Sequence, residues 1–444
     1  MHKTMADTPS SSADHTYGFG TRAIHAGAQP DPVTGARATP IHQTTSFVFD
    51  SAEHASSLFN LQTFGNVYSR ISNPTVAVLE ERIASLENGR AALACASGMA
   101  AQMAALLAIL KCGDHIVAAS TLYGGTVGQL GVGFSRLGIE TTFVDPADPE
   151  NFARAMRPNT RAVYGETIGN PLVNVLDIGS IADVAHAHGV PLVIDNTVAS
   201  PYLCNPLNFG ADIVVHSATK YIGGHGTTMG GVVVEGGKFP WDNGKFPEMV
   251  EPSRAYHGVK FYETFGDFGY TMKARMEVNR TFGGVLSPLN AWLLLQGAET
   301  LHLRMREHCR NALRVAQFLQ GHPKVQWVNY PGLSGSPFHA LAQKQFRAVD
   351  GHPGASGILT FGVKGGAAAG EKFIDACEFL SHLANIGDAK TLVIHPASTT
   401  HRQLNDEELA RAGVGADMVR LSVGIEDVDD ILWDIDQALE RATG

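Results

Sequence analysis

The amino-acid sequence predicts an α/β fold, in which a large domain built on a mostly parallel sheet is followed by a smaller α+β domain. Short apolar runs alternate with helix-like segments between residues 73 and 217. This alternation is typical of βαβ units whose helices cover both faces of a sheet. At 444 residues the chain exceeds the size at which one core keeps growing, so two domains are expected. Beyond residue 286 the regular alternation gives way to a long helical segment and a few scattered strands.

Two N-terminal segments precede the predicted large domain. Residues 1–18 are polar and serine-rich, which is typical of a disordered leader. Residues 19–72 contain several prolines and threonines without a clear periodicity, which favours an extended arm. The large domain, residues 73–285, then begins with a helix, because Asn73 can cap it, Pro74 suits its first turn and Gly89 closes it.

The remaining elements follow in chain order. The predicted strands of the large domain are Ala91–Cys95, His115–Ala119, Ile139–Val144, Ala162–Glu166, Leu192–Ile194 and Ile213–Val215. The helices between them cover residues 97–110, 126–137, 149–156 and 178–188, and a loop-like insert follows at 237–256. In the C-terminal domain, residues 286–444, strands are predicted at 358–363, 391–395 and 418–423 and helices at 288–320, 369–385 and 428–441.

Composition excludes several classes of function. The formal net charge of −10 disfavours a nucleic-acid partner, which would require a basic face. The five cysteines are widely spaced and form no CxxC pair, so they indicate a reducing compartment rather than disulfides or a metal site. No apolar run reaches 18 residues, and the N-terminus has no signal-like apolar region. We therefore expect a soluble cytoplasmic protein without a membrane or metal partner.

A lysine and an aspartate follow two predicted strands at their carboxyl ends, which is where ligands of open α/β sheets bind. Lys220 follows Ile213–Val215, and Asp195 follows Leu192–Ile194. A desolvated lysine becomes a base or a nucleophile, and a buried carboxylate requires a cationic partner. The alternatives are a surface lysine in a glycine-rich loop for Lys220 and a helix cap for Asp195.

Further polar residues follow the other predicted strands. Ser97, Gly98 and Met99 lie between a strand and a helix, where free backbone N–H groups suit a phosphate. Ser217 and Thr219, beside Lys220, are possible additional phosphate donors. The other residues of this kind are Tyr123, flanked by glycines, and Asn170. Tyr123 could lie flat over a ligand or be a packed core aromatic. A phosphate cup, a flat aromatic ring, a buried acid and a buried lysine together predict a pyridoxal phosphate site.

In the C-terminal domain, Arg420 alternates with apolar residues along its predicted strand and so points away from their face. A guanidinium there suits a bidentate bond to a substrate carboxylate, although an ordinary surface arginine shows the same pattern. Rival motifs are missing from the sequence: there is no P-loop, no HExxH and no GxSxG. The glycines after Lys220 do not form a strand–GxGxxG–helix unit, so a nicotinamide-dependent dehydrogenase is a weaker alternative.

Several motifs resemble those of the Cys/Met-metabolism family of pyridoxal-phosphate enzymes. They are Asp195-Asn196-Thr197, the segment SATKYIGGH from Ser217 to His225, YSRISNP from Tyr68 to Pro74, Ser97-Gly98-Met99, Tyr123 to Thr126, and Asn170-Pro171. The resemblance extends from about Thr21 to Ala442 and implies the aspartate-aminotransferase-like (type I) fold, with a seven-stranded sheet in the large domain.

The resemblance also implies roles for individual residues. Lys220 and Tyr123 would be catalytic, with Lys220 carrying the cofactor and moving protons. The expected cofactor-binding residues are Lys220, Tyr123, Asp195, Thr197, Ser97, Gly98, Met99, Ser217, Thr219, Tyr68 and Arg70. Tyr68 and Arg70 would reach the cofactor phosphate of a neighbouring subunit, which implies a homo-oligomer, with a dimer of dimers expected. Arg420, Ser398 and Asn170 would bind the amino-acid substrate.

Within the family, the chain most resembles the O-acetylhomoserine sulfhydrylases. This likeness rests on chain length, on the insert at 237–256, and on the segment 286–292 leading into 301–305. It implies a γ-replacement on O-acetylhomoserine by sulfide or methanethiol, giving homocysteine or methionine. Gly125 stands where methionine γ-lyases tend to carry cysteine, which disfavours a lyase. A cystathionine γ-synthase, a γ-lyase and a non-catalytic protein of the same fold are the alternatives.

Overall fold

A seven-stranded sheet organises the larger part of the chain in the computed structural model, which describes residues 15–399 and 415–443. Its strands are β1 (Ala91–Cys95), β2 (His115–Ala119), β3 (Glu140–Val144), β4 (Thr160–Glu166), β5 (Leu192–Asp195), β6 (Ile213–Ser217) and β7 (Gly231–Glu235). Their order is β1-β7-β6-β5-β4-β2-β3. All neighbouring pairs are parallel except those of β7, which is antiparallel to both β1 and β6. The predicted α/β fold with a mostly parallel sheet is confirmed.

Helices surround this sheet. In chain order they are α1 (Phe19–His25), α2 (Ala52–Phe59), α3 (Pro74–Leu86), α4 (Gly98–Leu107), α5 (Gly124–Gly128), α6 (Glu150–Ala155), α7 (Ile178–Ala187), α8 (Ser200–Leu203), α9 (Pro247–Val250), α10 (Phe261–Phe265), α11 (Gly269–Lys273) and α12 (Arg280–Phe282). The side chain of Asn73 accepts the N–H groups of Thr75 and Val76, so α3 begins with the expected cap. The N-terminal arm contains two helices, α1 and α2, and is therefore less extended than its irregular sequence indicates.

The C-terminal region has its own five-stranded sheet. Its elements are α13 (Pro288–Glu299), α14 (Leu301–Gly321), β8 (Val325–Asn329), α15 (His339–Gln345), β9 (Ala348–Val349), β10 (His352–Pro353), β11 (Ile358–Val363), α16 (Gly366–Ala376), β12 (Ser381–His382), β13 (Leu392–Ile394), β14 (Met418–Ser422) and α17 (Val428–Thr443). The sheet order is β12-β13-β14-β11-β8, and β9 pairs with β10 separately. A second buried apolar cluster lies between this sheet and the helices α14, α16 and α17.

Part of the chain lies outside the described residues, namely 1–14, 400–414 and 444. Most of the predicted leader is among them, as are Thr400 and His401 of the HPASTTH segment. In residues 15–399 and 415–443, no helix combines the length and the apolar character needed to cross a membrane.

An arginine on α14 ties the C-terminal region to the segment that carries Lys220. Arg304 is buried and donates hydrogen bonds to the carbonyl oxygens of Tyr221 at 2.7 Å, Ile222 at 3.2 Å and Gly297 at 2.6 Å. Gly297 permits this contact, because a Cβ at that position would lie 2.4 Å from the carbonyl oxygens of Ile222 and Gly223. The backbone after Lys220 is therefore fixed against two C-terminal helices.

Candidate active site

The carboxyl ends of β4, β5 and β6 meet at one edge of the large sheet. The register pairs Glu166 with Asp195 and Asp195 with Val215, so Asp195 lies beside the turn from Ser217 to Lys220. A cavity of about 240 Å³ opens at this edge. The residues singled out from the sequence that line it are Ser97, Gly98, Met99, Tyr123, Asn170, Asp195, Thr197, Ser217, Thr219, Lys220 and Arg420. Residues from the strand ends of the large sheet and Arg420 of the C-terminal region therefore line one site.

Three of the predicted site residues do not line this cavity. Arg70 lies over the ring of Tyr68, 5.5 Å from its centroid, and donates to the backbone oxygen of Arg280 at 3.0 Å. Ser398 is hydrogen-bonded to the Nδ1 of His395 at 2.9 Å. Because the resemblance assigns Tyr68 and Arg70 to a neighbouring subunit, their roles, like that of Ser398, stay predictions.

A cup for an anion forms where α4 begins next to the end of β6. The Ser97 hydroxyl caps α4 by accepting the N–H of Ala100 at 3.1 Å. The first N–H groups of a helix lack intrahelical acceptors and carry the positive end of its dipole. Gly98 lets this helix start approach the strand, since a Cβ there would lie 2.7 Å from the Cβ of Ser217. The Ser217 N–H donates to the Thr197 hydroxyl at 2.8 Å, which fixes the other wall of the cup.

The Lys220 amine lies inside the cavity without a carboxylate partner among the described residues. Its Nζ donates to the side-chain oxygen of Asn385 at 2.5 Å. Burial lowers the pKa of Lys220 to about 8, and the positive charge of Arg420 acts in the same direction. An amine of this kind loses its proton close to neutral pH and can then act as a nucleophile or base.

The Asp195 carboxylate is held in place by three groups of the protein. The Thr197 N–H donates to one oxygen at 2.9 Å, and the side-chain amide of Gln102 lies 3.2 Å from the other. The same amide contacts the hydroxyl of Tyr164 at 2.7 Å. The hydroxyl of Tyr164 is in turn hydrogen-bonded to Asp195. The carboxylate therefore has a fixed orientation at the edge of the cavity.

Arg420, on β14, is only 5% exposed. It donates to the side-chain oxygen of Asn170 at 2.9 Å and to the backbone oxygen of Asn385 at 3.2 Å. Its Nε is buried and has no hydrogen-bond partner among the described residues, and burial lowers the pKa of the guanidinium to about 10. A buried guanidinium that no carboxylate neutralises within the described part of the chain is suited to an anionic ligand.

These residues fit a bound pyridoxal phosphate. The cup at Ser97, Gly98 and Ser217 suits the phosphate, and Asp195 suits a protonated ring nitrogen. The Lys220 amine is available for covalent attachment, and Tyr123 presents a ring that is 48% exposed. The Arg420 Nε and the Gln102 Oε1 both belong to cavity-lining residues and have no hydrogen-bond partner in the part of the chain that the structure describes, so they are polar atoms that a ligand can satisfy.

The cavity also contains residues that the sequence reasoning did not single out. The polar ones are Gln102, Glu166 and Asn385. The sequence does predict the position of Glu166, as the last residue of a predicted strand. The sequence does not predict a site role for Asn385, because the residue falls at the end of the helix expected at 369–385. In the structure this segment forms α16, β12 and the loop before β13. No periodicity in that loop indicates a contact with Lys220.

Comparison with known proteins identifies the relatives of this chain. The model of the Cys/Met metabolism PLP-dependent enzyme family matches residues 20–440. The chain is 55% identical to the O-acetyl-L-homoserine sulfhydrylase of Leptospira meyeri, over 95% of this chain and 96% of the relative. It is 51% identical to the homocysteine synthase of Schizosaccharomyces pombe, over 96% and 98%.

A solved structure is similar over nearly the whole chain. It is a putative O-acetylhomoserine (thiol)-lyase of Campylobacter jejuni with N'-pyridoxyl-lysine-5'-monophosphate. The TM-score is 0.92 at 37% identity, and the match covers 96% of this chain and 100% of the other.

Proposed function

Because this chain belongs to the Cys/Met metabolism family of PLP-dependent enzymes, we propose that it catalyses a γ-replacement on O-acetyl-L-homoserine. Sulfide, or methanethiol, forms a new C–S bond at Cγ while the C–O bond to the acetyl group breaks. The products are acetate and L-homocysteine, or L-methionine. The relatives' names support this reaction, and it places the enzyme in methionine biosynthesis.

Pyridoxal phosphate supplies the electron sink that stabilises negative charge beside Cα. In our proposal the Lys220 amine would carry this cofactor and, when free, would remove the Cα proton of the substrate and then move a proton at Cβ. The lowered pKa of Lys220, to about 8, supports these proton transfers near neutral pH. The observation that carries the proposal is the convergence of this amine with Asp195 and the anion cup in one cavity.

The other residues bind and orient. Asp195 keeps the pyridine nitrogen protonated, and Tyr123 stacks on the ring and assists as an acid or base. The phosphate is bound by Ser97, Gly98, Met99, Thr197, Ser217 and Thr219. Arg420 and Asn170, already hydrogen-bonded to each other, hold the substrate carboxylate, with Ser398 as a further substrate-binding residue. Asn385 holds the Lys220 amine while it is not attached to the cofactor.

We also propose that the enzyme is a homo-oligomer, in which the arm at 19–72 brings Tyr68 and Arg70 to the site of a neighbouring subunit. Large apolar side chains of the arm that are exposed in a single chain support this arrangement: Val48 at 97%, Phe64 at 75% and Phe59 at 55%. A dimer of dimers is our expectation, and sedimentation of the purified protein measures it. The five thiols are all unpaired, which favours the cytoplasm as the working compartment.

Two measurements test the function. Borohydride treatment of the yellow purified protein, followed by peptide mapping, should fix the cofactor on Lys220, and fixation on another lysine would contradict the site. Product analysis with O-acetyl-L-homoserine should give homocysteine with sulfide. If cysteine is the preferred donor, the enzyme is a cystathionine γ-synthase, and if water alone gives keto acid and ammonia, it is a lyase. A Lys364→Ala variant, altered at an exposed lysine, is the control.

A further inference from the structure

A second carboxyl group lies beside Asp195 in the cavity wall. Glu166 is the last residue of β4 and the register partner of Asp195 on β5. Its side chain lines the same cavity, yet the residue is only 6% exposed. The proposed reaction uses one carboxylate, at the ring nitrogen, so the second requires an explanation.

The Glu166 carboxyl joins two loops of the active site. It accepts the backbone N–H of Tyr123 at 2.7 Å, in the loop after β2, and it also interacts with the backbone N–H of Asn170, in the loop after β4. Tyr123 carries the stacking ring, and Asn170 is hydrogen-bonded to Arg420. One side chain thus fixes both the aromatic ring and the amide at the carboxylate-binding end of the site.

The surroundings of Glu166 disfavour a negative charge. Burial raises the pKa of Glu166 well above its usual range, the charge of Asp195 adds to this, and the two N–H donors oppose it more weakly. Among the other buried glutamates, Glu80 lies 2.7 Å from Arg275 and Glu87 lies 2.6 Å from His216, whereas Glu235 has no ion-pair partner among the described residues and accepts the N–H of Thr271. For Glu166, no cationic group of the described residues lies within 4.0 Å. The groups that face it are Asp195 on β5, Tyr164 on β4, and Lys220 and Arg420 across the cavity.

We propose that Glu166 works as an uncharged carboxylic acid that positions Tyr123 and Asn170, and that it leaves Asp195 as the carboxylate directed at the cofactor nitrogen. This inference rests on the proposed function in that the cofactor and the substrate occupy this cavity. Glu166 is a positioning residue, because it acts through the backbone of two other residues. A second ionised carboxylate next to Asp195 would instead raise the proton affinity of both groups and of the ring nitrogen.

Replacement of the carboxyl by an amide of the same shape separates the neutral form from the charged one. In Glu166→Gln the side-chain oxygen still accepts the Tyr123 N–H, and the amide NH₂ stands where the carboxyl O–H stood. We expect this holoenzyme to keep kcat/KM within about threefold, since the hydrogen bonds and the charge are unchanged. Glu166→Ala removes the acceptor of the Tyr123 N–H and the side chain that faces the Asn170 N–H, and it should lower kcat/KM about tenfold to a hundredfold. Glu371→Gln, at an exposed glutamate, is the control.

Two readouts do not depend on the γ-replacement. The absorbance of the bound cofactor as a function of pH should have the same midpoint in wild type and Glu166→Gln, within about 0.3 units. Infrared difference spectroscopy of the two holoproteins should show a protonated-carboxyl C=O band in the wild type that Glu166→Gln lacks. If Glu166→Ala does not fold, the absorbance and infrared measurements on Glu166→Gln still show whether Glu166 is uncharged in the wild type.

Three results would overturn the inference: a Glu166→Gln enzyme as impaired as Glu166→Ala, a cofactor midpoint displaced by about one unit or more, or no protonated-carboxyl band in the wild type. Failure of the proposed function looks different. In that case the wild type would form no homocysteine from sulfide, while the absorbance and infrared results would still report the state of Glu166.

Discussion

Replacing Arg420 by methionine should selectively weaken binding of the amino-acid substrate. Arginine has five N–H donors. Within residues 15–399 and 415–443, Arg420 donates two hydrogen bonds, to Asn170 and to the backbone of Asn385, so three N–H groups remain there, including the buried Nε. Three free donors on a planar guanidinium are sufficient for a two-point bond to a carboxylate. Methionine fills a similar volume but offers none of them.

The expected loss follows from the number of bonds removed. A hydrogen bond to a charged group contributes about 1.5–3 kcal/mol to the binding free energy. In Arg420→Met the substrate carboxylate loses two such hydrogen bonds in a desolvated site. A conservative total is about 3 kcal/mol, which corresponds to a factor of about 150 at 1.4 kcal/mol per tenfold change. The fold itself should not suffer, because a buried guanidinium without a carboxylate partner costs desolvation energy that methionine does not incur.

Steady-state kinetics with each substrate varied in turn checks this prediction. KM for O-acetyl-L-homoserine should rise about 150-fold, whereas KM for sulfide should change less than about threefold. Arg441→Met, at an exposed arginine paired with Glu378, should change neither KM. Equal increases in both KM values, or an increase of less than about tenfold for the amino acid, would remove Arg420 from the carboxylate-binding role.

The remaining predictions concern Lys220 and Gly98. In the cofactor-free protein, the pKa of Lys220 falls from 10.5 to about 8 on folding. Below pH 8 the buried ammonium therefore lowers the free energy of unfolding by about 3 kcal/mol. This destabilisation disappears as the pH rises to about 10.5, because the amine is then neutral in the folded protein. Chemical denaturation should therefore show cofactor-free Lys220→Met to be more stable than wild type at pH 7 but not at pH 10.5. Gly98→Ala should lower the affinity for the cofactor at least about tenfold, because the new Cβ forces α4 away from Ser217. Gly128→Ala is the control, since no atom lies within 4 Å of its new Cβ, and it should leave the affinity unchanged. Titration of the cofactor-free protein with the cofactor measures both affinities.

Sequence reasoning could locate Lys220 and Asp195 because both follow strands that are recognisable from local composition. In a parallel sheet the carboxyl ends of strands share one edge, so two residues that each end a strand lie close together without further information. β5 and β6 are neighbouring strands, and their register places Asp195 beside the turn that carries Lys220. The anion cup was predictable for the same reason, since Ser97 and Gly98 stand between a strand and a helix.

Other features depend on packing between distant segments. β7 was not among the predicted strands, and its antiparallel pairing with β1 and β6 closes the sheet beside the anion cup. Asn385 lies 165 residues from Lys220 in sequence, and it reaches the amine only because the C-terminal region folds over the large sheet. Gln102 is one polar residue in an otherwise apolar helix, and it contacts Asp195 because α4 packs against the large sheet. Local propensity does not encode such contacts.

The charges around the cavity connect substrate binding to the basicity of Lys220. Arg420 helps to lower the pKa of Lys220 when no anion is bound to the guanidinium. A substrate carboxylate bound to Arg420, as proposed, would neutralise that charge and so remove the repulsion that disfavours the ammonium form of Lys220. Asn385 contacts both cationic residues, accepting from the Lys220 amine with its side chain and from Arg420 with its backbone oxygen. In the proposed reaction the amine would therefore become a stronger base once the substrate is bound, which is when the Cα proton has to be removed.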